Sequence, residues 1–90
     1  MKKIQVSHIL VQHEYEAKDL LLSLVKGKSF EELAQKFSKC PSAKSGGNLG
    51  IITPGKTVEE FEEASFNLKV DEISQPIRTK FGYHLIKRIL

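Results

Sequence analysis

The chain is 90 residues long, 40% hydrophobic and 28% charged, with a net charge of +3 and a single cysteine. That length holds one domain (1–90) with one core, and the composition is too apolar for a chain that stays disordered. No apolar run approaches the ~20 residues that span a bilayer, one cysteine excludes an internal disulfide, and the basic residues are scattered rather than gathered into the aromatic-studded stripe of a nucleic-acid binder.

The start, Met1-Lys2-Lys3-Ile4-Gln5-Val6, has lysines but no apolar stretch or cleavage site after them, so no signal peptide is expected. With the lone cysteine, this makes the cytoplasm the expected compartment. From Lys3 to Val11 the residues alternate with period two. Ile4, Val6, His8 and Leu10 share one face, and Ile9 and Val11 on the other are also apolar, which predicts a central strand buried on both sides. Over Glu14 to Lys26 the period becomes helical, with Ala17, Leu20, Leu21 and Leu24 inward, and Gly27 is a C-cap candidate. Ser29-Phe30-Glu31-Glu32 has capping-box spacing and opens a second helix striped by Phe30, Leu33, Ala34 and Phe37. Pro41 biases Cys40 away from helical angles and ends it.

The segment Cys40 to Gly50 reads as a loop, holding the cysteine, a proline and three glycines. Asn48 to Ile52 is a short strand closed by Pro54-Gly55. Thr57-Val58-Glu59-Glu60 repeats the capping-box spacing before a third helix with Val58, Phe61, Ala64 or Ser65, and Leu68 inward. Gln75 to Arg78 and Tyr83 to Leu90 are the last strands, around a turn at Thr79 to Gly82. The order β-α-α-loop-β-α-β-β predicts an α+β domain, helices around a small, mostly antiparallel four-stranded sheet.

For chemistry, His8, His13, Cys40 and His84 offer metal donors, but no pair has the close spacing of a zinc half-site, so no metal is expected. Ser45-Gly46-Gly47-Asn48-Leu49-Gly50 lacks the Gly-Lys-Ser/Thr ending of a phosphate loop, and its glycines are better read as turn formers. Cys40 with a histidine has the residue types of a nucleophile pair, without further support for an oxyanion hole or an orienting group. His8 and His84 say more, because each sits in an apolar strand, His8 in the middle of the first and His84 early in the last. If those strands pair, the imidazoles lie side by side, as a core pair that fixes register or as neutral members of a network with Thr79, Cys40 or water. Taken together, near the cysteine loop, they favour a site.

Five segments then carry a resemblance that covers nearly the whole chain: Ser7-His8-Ile9-Leu10-Val11, Phe37-Ser38-Lys39-Cys40-Pro41-Ser42, Gly46-Gly47-Asn48-Leu49-Gly50, Phe61 through Phe66, and Thr79-Lys80-Phe81-Gly82-Tyr83-His84-Leu85-Ile86. In this order and spacing the sequence resembles a minimal, single-domain parvulin-type peptidyl-prolyl cis–trans isomerase. The resemblance implies a catalytic set of His8, Cys40, Thr79 and His84. It also implies a proline pocket lined by Leu49 and Phe61, with Phe81 at its rim and Thr57 where the family commonly has methionine, which makes the pocket shallower or wetter. It implies no cofactor, a monomer, proline-containing peptides or unfolded protein clients as partners, and no nucleic acid or membrane. The alternative is a catalytically weak proline-peptide-binding or chaperone module. Phosphate-directed members follow their first strand with a basic loop; here Val11 leads through Gln12-His13-Glu14 straight into a helix, so no phosphate requirement is expected.

Overall fold

The structure is a computed structural model that describes residues 3–90. The chain runs β1 (Ile4–Val11), α1 (Glu14–Val25), α2 (Phe30–Phe37), a 3-10 turn (Pro41–Ser45), β2 (Asn48–Ile52), α3 (Glu59–Asn67), β3 (Ile77–Thr79) and β4 (Gly82–Arg88). The strands form one sheet in the order β2-β1-β4-β3, every neighbouring pair antiparallel. The expected α+β architecture and element order are both found.

Two apolar faces explain why β1 and β4 take the centre. On one side Ile9, Val11 and Leu85 pack with Ala17 and Leu20 of α1 and Phe30, Leu33 and Ala34 of α2. On the other, Ile4, Val6 and Ile86 pack with Ile52, Phe61 and Leu68. Burial on both faces is what a near-continuous apolar strand requires. His8 therefore falls on the α3 side, in phase with Ile4 and Val6. Beyond β3 the free edge of β4 is covered by an irregular segment. Asp71 N–H donates to Arg88 O (2.7 Å), Ser74 N–H to Ile86 O (2.8 Å), and Ile86 N–H to Ser74 Oγ (3.0 Å). Asp71 turns the chain there with φ of 71°, a conformation that aspartate tolerates better than most residues.

Several local expectations change. Ser29 caps α2 by accepting from Glu32 N–H (3.3 Å), but its hydroxyl donates to Glu31 Oε1 (3.2 Å) and the reciprocal bond from Glu32 is not made. A return bond of that kind forms at α1 instead, where His13 N–H donates to Glu16 Oε1 (3.0 Å). At α3 the N-cap is Val58, and Thr57 caps nothing. Phe37, expected in the α2 stripe, is 49% exposed at the end of its helix, where the chain is already leaving the core. The third strand starts later, at Ile77, because the residues before it lie along β4 without regular pairing.

Candidate active site

The sheet register places the two histidines. Residue pairing across β1 and β4 sets His8 opposite Ile86 and Leu10 opposite His84, so the histidines are diagonal neighbours on one face, two positions out of step. Long side chains reach each other across such a diagonal, and His8 Nδ1 lies 3.0 Å from His84 Nδ1, the rings stacked at 5.2 Å between centroids. The diagonal continues into β3. Ile77 pairs with His84 and Thr79 with Gly82, which puts the Thr79 hydroxyl 2.7 Å from His84 Nε2. Phe81 N–H, in the β3–β4 turn, donates to the same hydroxyl oxygen (3.1 Å).

Counting donors assigns the protons. Thr79 Oγ1 already accepts from Phe81, so its own hydrogen finds a partner only if His84 Nε2 is the acceptor. His84 then carries its proton on Nδ1 and donates to His8 Nδ1, which leaves His8 protonated on Nε2. The other direction would strand the buried threonine hydrogen and still leave His8 Nε2 unpaired. Both rings are neutral: burial lowers His8 from 6.5 to about 4, helped by the charge His84 would carry, and burial alone lowers His84 to about 4. The relay ends at His8 Nε2, a buried donor with no partner in the protein.

Phe61 of α3 presses on both rings edge-on, with centroids 5.5 Å from His8 and 5.2 Å from His84 and interplanar angles near 80°. Its own burial (3% exposed) fixes that contact. Over this floor opens a cavity of about 300 Å³ lined by His8, Leu49, Lys56, Thr57, Val58, Phe61 and Phe81. Leu49 reaches it from an irregularity in β2: Val6 pairs with Gly50 but Ser7 with Asn48, so Leu49 is the extra residue of a bulge, a device that re-aims a side chain. Phe81 forms the outer rim, 61% exposed, with Lys80 Nζ 5.3 Å from its ring centroid.

The glycine loop holds His8 from behind. Gly47 O accepts from His8 N–H (2.9 Å), and a Cβ on Gly47 would collide with the His8 carbonyl oxygen. With φ of 85° at Gly47, only glycine lets the loop close on the strand without strain.

Of the eight residues singled out from sequence, His8, His84 and Thr79 meet in one hydrogen-bonded row, and Leu49, Thr57, Phe61 and Phe81 line the cavity above it with His8. Cys40 stands apart. It is half-buried at the start of the 3-10 turn, and among the described residues its sulfur makes no hydrogen bond and does not line this cavity. Lys56 was not singled out. It reaches the lining by donating from Nζ to Ile51 O (3.2 Å) across the Pro54-Gly55 turn, and the only sequence signal was its place just after that turn. Among the described residues no cluster of three or more potential metal ligands occurs.

Comparison with known proteins agrees with this geometry. The PPIC-type PPIase (rotamase) domain family matches residues 8–89. The parvulin of Nitrosopumilus maritimus is 46% identical and covers all of this chain and 98% of its own, with a TM-score of 0.91. The chain belongs to the parvulin family. The foldase protein PrsA of Geobacillus kaustophilus is 52% identical over 86 residues, which are 94% of this chain but 31% of that protein. The crystal structure of PrsA from Bacillus subtilis superposes with a TM-score of 0.96 at 43% identity, over 98% of this chain and 35% of that one. The chain thus spans about a third of the curated relatives it matches.

Proposed function

We propose that the chain catalyses cis–trans isomerisation of X–Pro bonds in peptides and unfolded protein segments, without a covalent intermediate and without a phosphate requirement. The observation that carries this reading is an apolar cavity, walled by Leu49, Val58, Phe61 and Phe81 and floored by a neutral histidine pair. Its size suits a pyrrolidine ring and the carbonyl before it. A planar imide resists rotation by ~18–20 kcal/mol through resonance, and it is more polar than the twisted form. Surroundings that bind the ring but solvate the planar imide poorly favour the twist, since only interactions that differ between ground and transition state accelerate the reaction. To bring an exchange time of ~100 s to about a millisecond takes roughly 7 kcal/mol.

Two features support the finer parts of the reading. The Cys40 sulfur has no hydrogen bond to either imidazole, so it lacks the adjacent base that an attacking thiol uses, which supports a reaction without a covalent intermediate. Between β1 and α1 stand only Gln12 and His13, and no lysine or arginine occurs between Lys3 and Lys18, which leaves no cationic loop after the first strand to take a phosphate. A protease-coupled assay on matched peptides with alanine, serine or phosphoserine before proline tests both points. Acceleration of the unphosphorylated peptides at micromolar protein, with no gain from phosphate, is the expected result. Acceleration of the phosphopeptide alone would overturn the substrate reading. Binding without acceleration would make the chain a proline-peptide-binding module.

A further inference from the structure

A second residue of the cavity lining carries an unpaired buried polar atom. Thr57 Oγ1 is buried with no hydrogen-bond partner in the protein, as is His8 Nε2, and both residues line the same cavity. The third such atom, Ser42 Oγ, belongs to the 3-10 turn and lies outside that lining.

Local structure does not account for the threonine. It stands one residue before the N-cap of α3, where a hydroxyl would be expected to serve the helix. Yet Val58 is the cap, its carbonyl takes the Glu62 N–H (2.9 Å), and the free N–H of Gly55 in the preceding turn goes to Glu62 Oε1 (2.5 Å). Burying a hydroxyl without a partner carries a desolvation cost that a valine of the same shape would not. Of the remaining lining residues, Leu49, Val58, Phe61 and Phe81 offer no polar side-chain atoms, and the Lys56 ammonium donates to Ile51 O (3.2 Å).

The chemistry of an X–Pro unit supplies the missing partner. Proline has no N–H, so around its ring the substrate backbone presents two carbonyls, that of X and that of proline, and no donor. A site for such a unit therefore needs donors. The proton assignment makes His8 Nε2 one, and a threonine hydroxyl is another. Building on the isomerase reading above, we infer that Thr57 is a substrate-binding residue whose hydroxyl donates to a backbone carbonyl flanking the proline ring, alongside His8 Nε2–H. The hydroxyl is left unpaired in the free protein and becomes paired when the peptide binds.

Stability and binding should then move in opposite directions on substitution. With the tetrapeptide Ala-Ala-Pro-Phe amide as probe, Thr57→Val weakens affinity, read from NMR shift titration, by about three- to tenfold, the worth of one neutral hydrogen bond. It lowers kcat/KM by a similar factor. Thr57→Ser, which keeps the donor, holds both within about twofold of the wild type. The thermal midpoint of Thr57→Val equals or exceeds that of the wild type, since an unpaired buried hydroxyl has been removed. Wild-type affinity in Thr57→Val, or equal losses in the valine and serine variants, would overturn the inference. A wild-type chain that binds the peptide but does not accelerate exchange would refute the isomerase reading alone, and the affinity comparison would still decide the role of Thr57. A chain that binds no such peptide would refute both.

Discussion

At the scale of single residues, the histidines set the pH behaviour. Each is neutral in the fold and pushed down to about 4 from 6.5. The unfolded chain takes up protons near pH 6.5 while the folded chain refuses them until about pH 4. Their contribution to stability is therefore complete above pH 6.5 and is lost progressively as pH falls toward 4. Urea unfolding should show a midpoint unchanged between pH 8 and 7 and lower at pH 5, and His84→Asn should flatten that dependence. On the proposed mechanism the neutral pair is the active form, so turnover measured while the fold persists should stay level down to about pH 5. Phe61 is the other decisive residue. Phe61→Ala should cost about 3–5 kcal/mol, a large part of the ~5–15 kcal/mol that holds a domain together. Phe61→Leu keeps the space filled and is the better probe of function. It should fold with a native circular dichroism spectrum and lose at least about tenfold in kcat/KM, because the edge-on contact that fixes both imidazoles is gone.

At the scale of elements, the Gly46-Gly47 turn and the β3–β4 hairpin do the positioning. Gly47→Ala would place a left-handed backbone under a Cβ, costing about 1–2 kcal/mol, and would push against the His8 carbonyl. A lowered thermal midpoint together with shifted His8 ring resonances is the expected outcome. Much of this level was legible in the sequence. The bounds of β2 follow from its place between the glycine loop and the Pro54-Gly55 turn, the start of α1 follows from helical period, and the apolar runs of β1 and β4 announce their central pairing. The diagonal offset between His8 and His84 was not legible, because register depends on where the strands close and no local pattern encodes it. Thr57 has the spacing of a cap at α3, but Val58 takes the position and the Thr57 hydroxyl is left buried without a partner. The signature at Ser29 held for its first bond only: Glu32 N–H donates to the Ser29 hydroxyl, and the return bond from Ser29 N–H to the Glu32 carboxylate is not made.

For the whole molecule, the sheet separates two tasks. Its α1–α2 side is a packed apolar layer, while its α3 side carries the cavity and the histidine row. The resemblance named a set of residues of which all but Cys40 gather in the histidine row or the cavity lining, but how they divide between the two was not legible. Cys40 is adjacent to the site in the chain's motif order yet outside the cavity lining, whereas Lys56, two residues beyond a proline, is inside it. Cys40→Ala should accordingly keep most of the isomerase rate, within about tenfold, and lose none of the fold's cooperativity. The central claim, that this cavity rotates an X–Pro bond without attacking it, is tested most directly by two-dimensional exchange NMR on a short X–Pro peptide with catalytic amounts of wild-type chain and of Cys40→Ala. Uncatalysed exchange takes tens to hundreds of seconds. Exchange cross-peaks growing within about a second for both proteins are the expected result. Exchange left at the uncatalysed rate by the wild type, or rescued from that rate only when the thiol is present, would contradict the account.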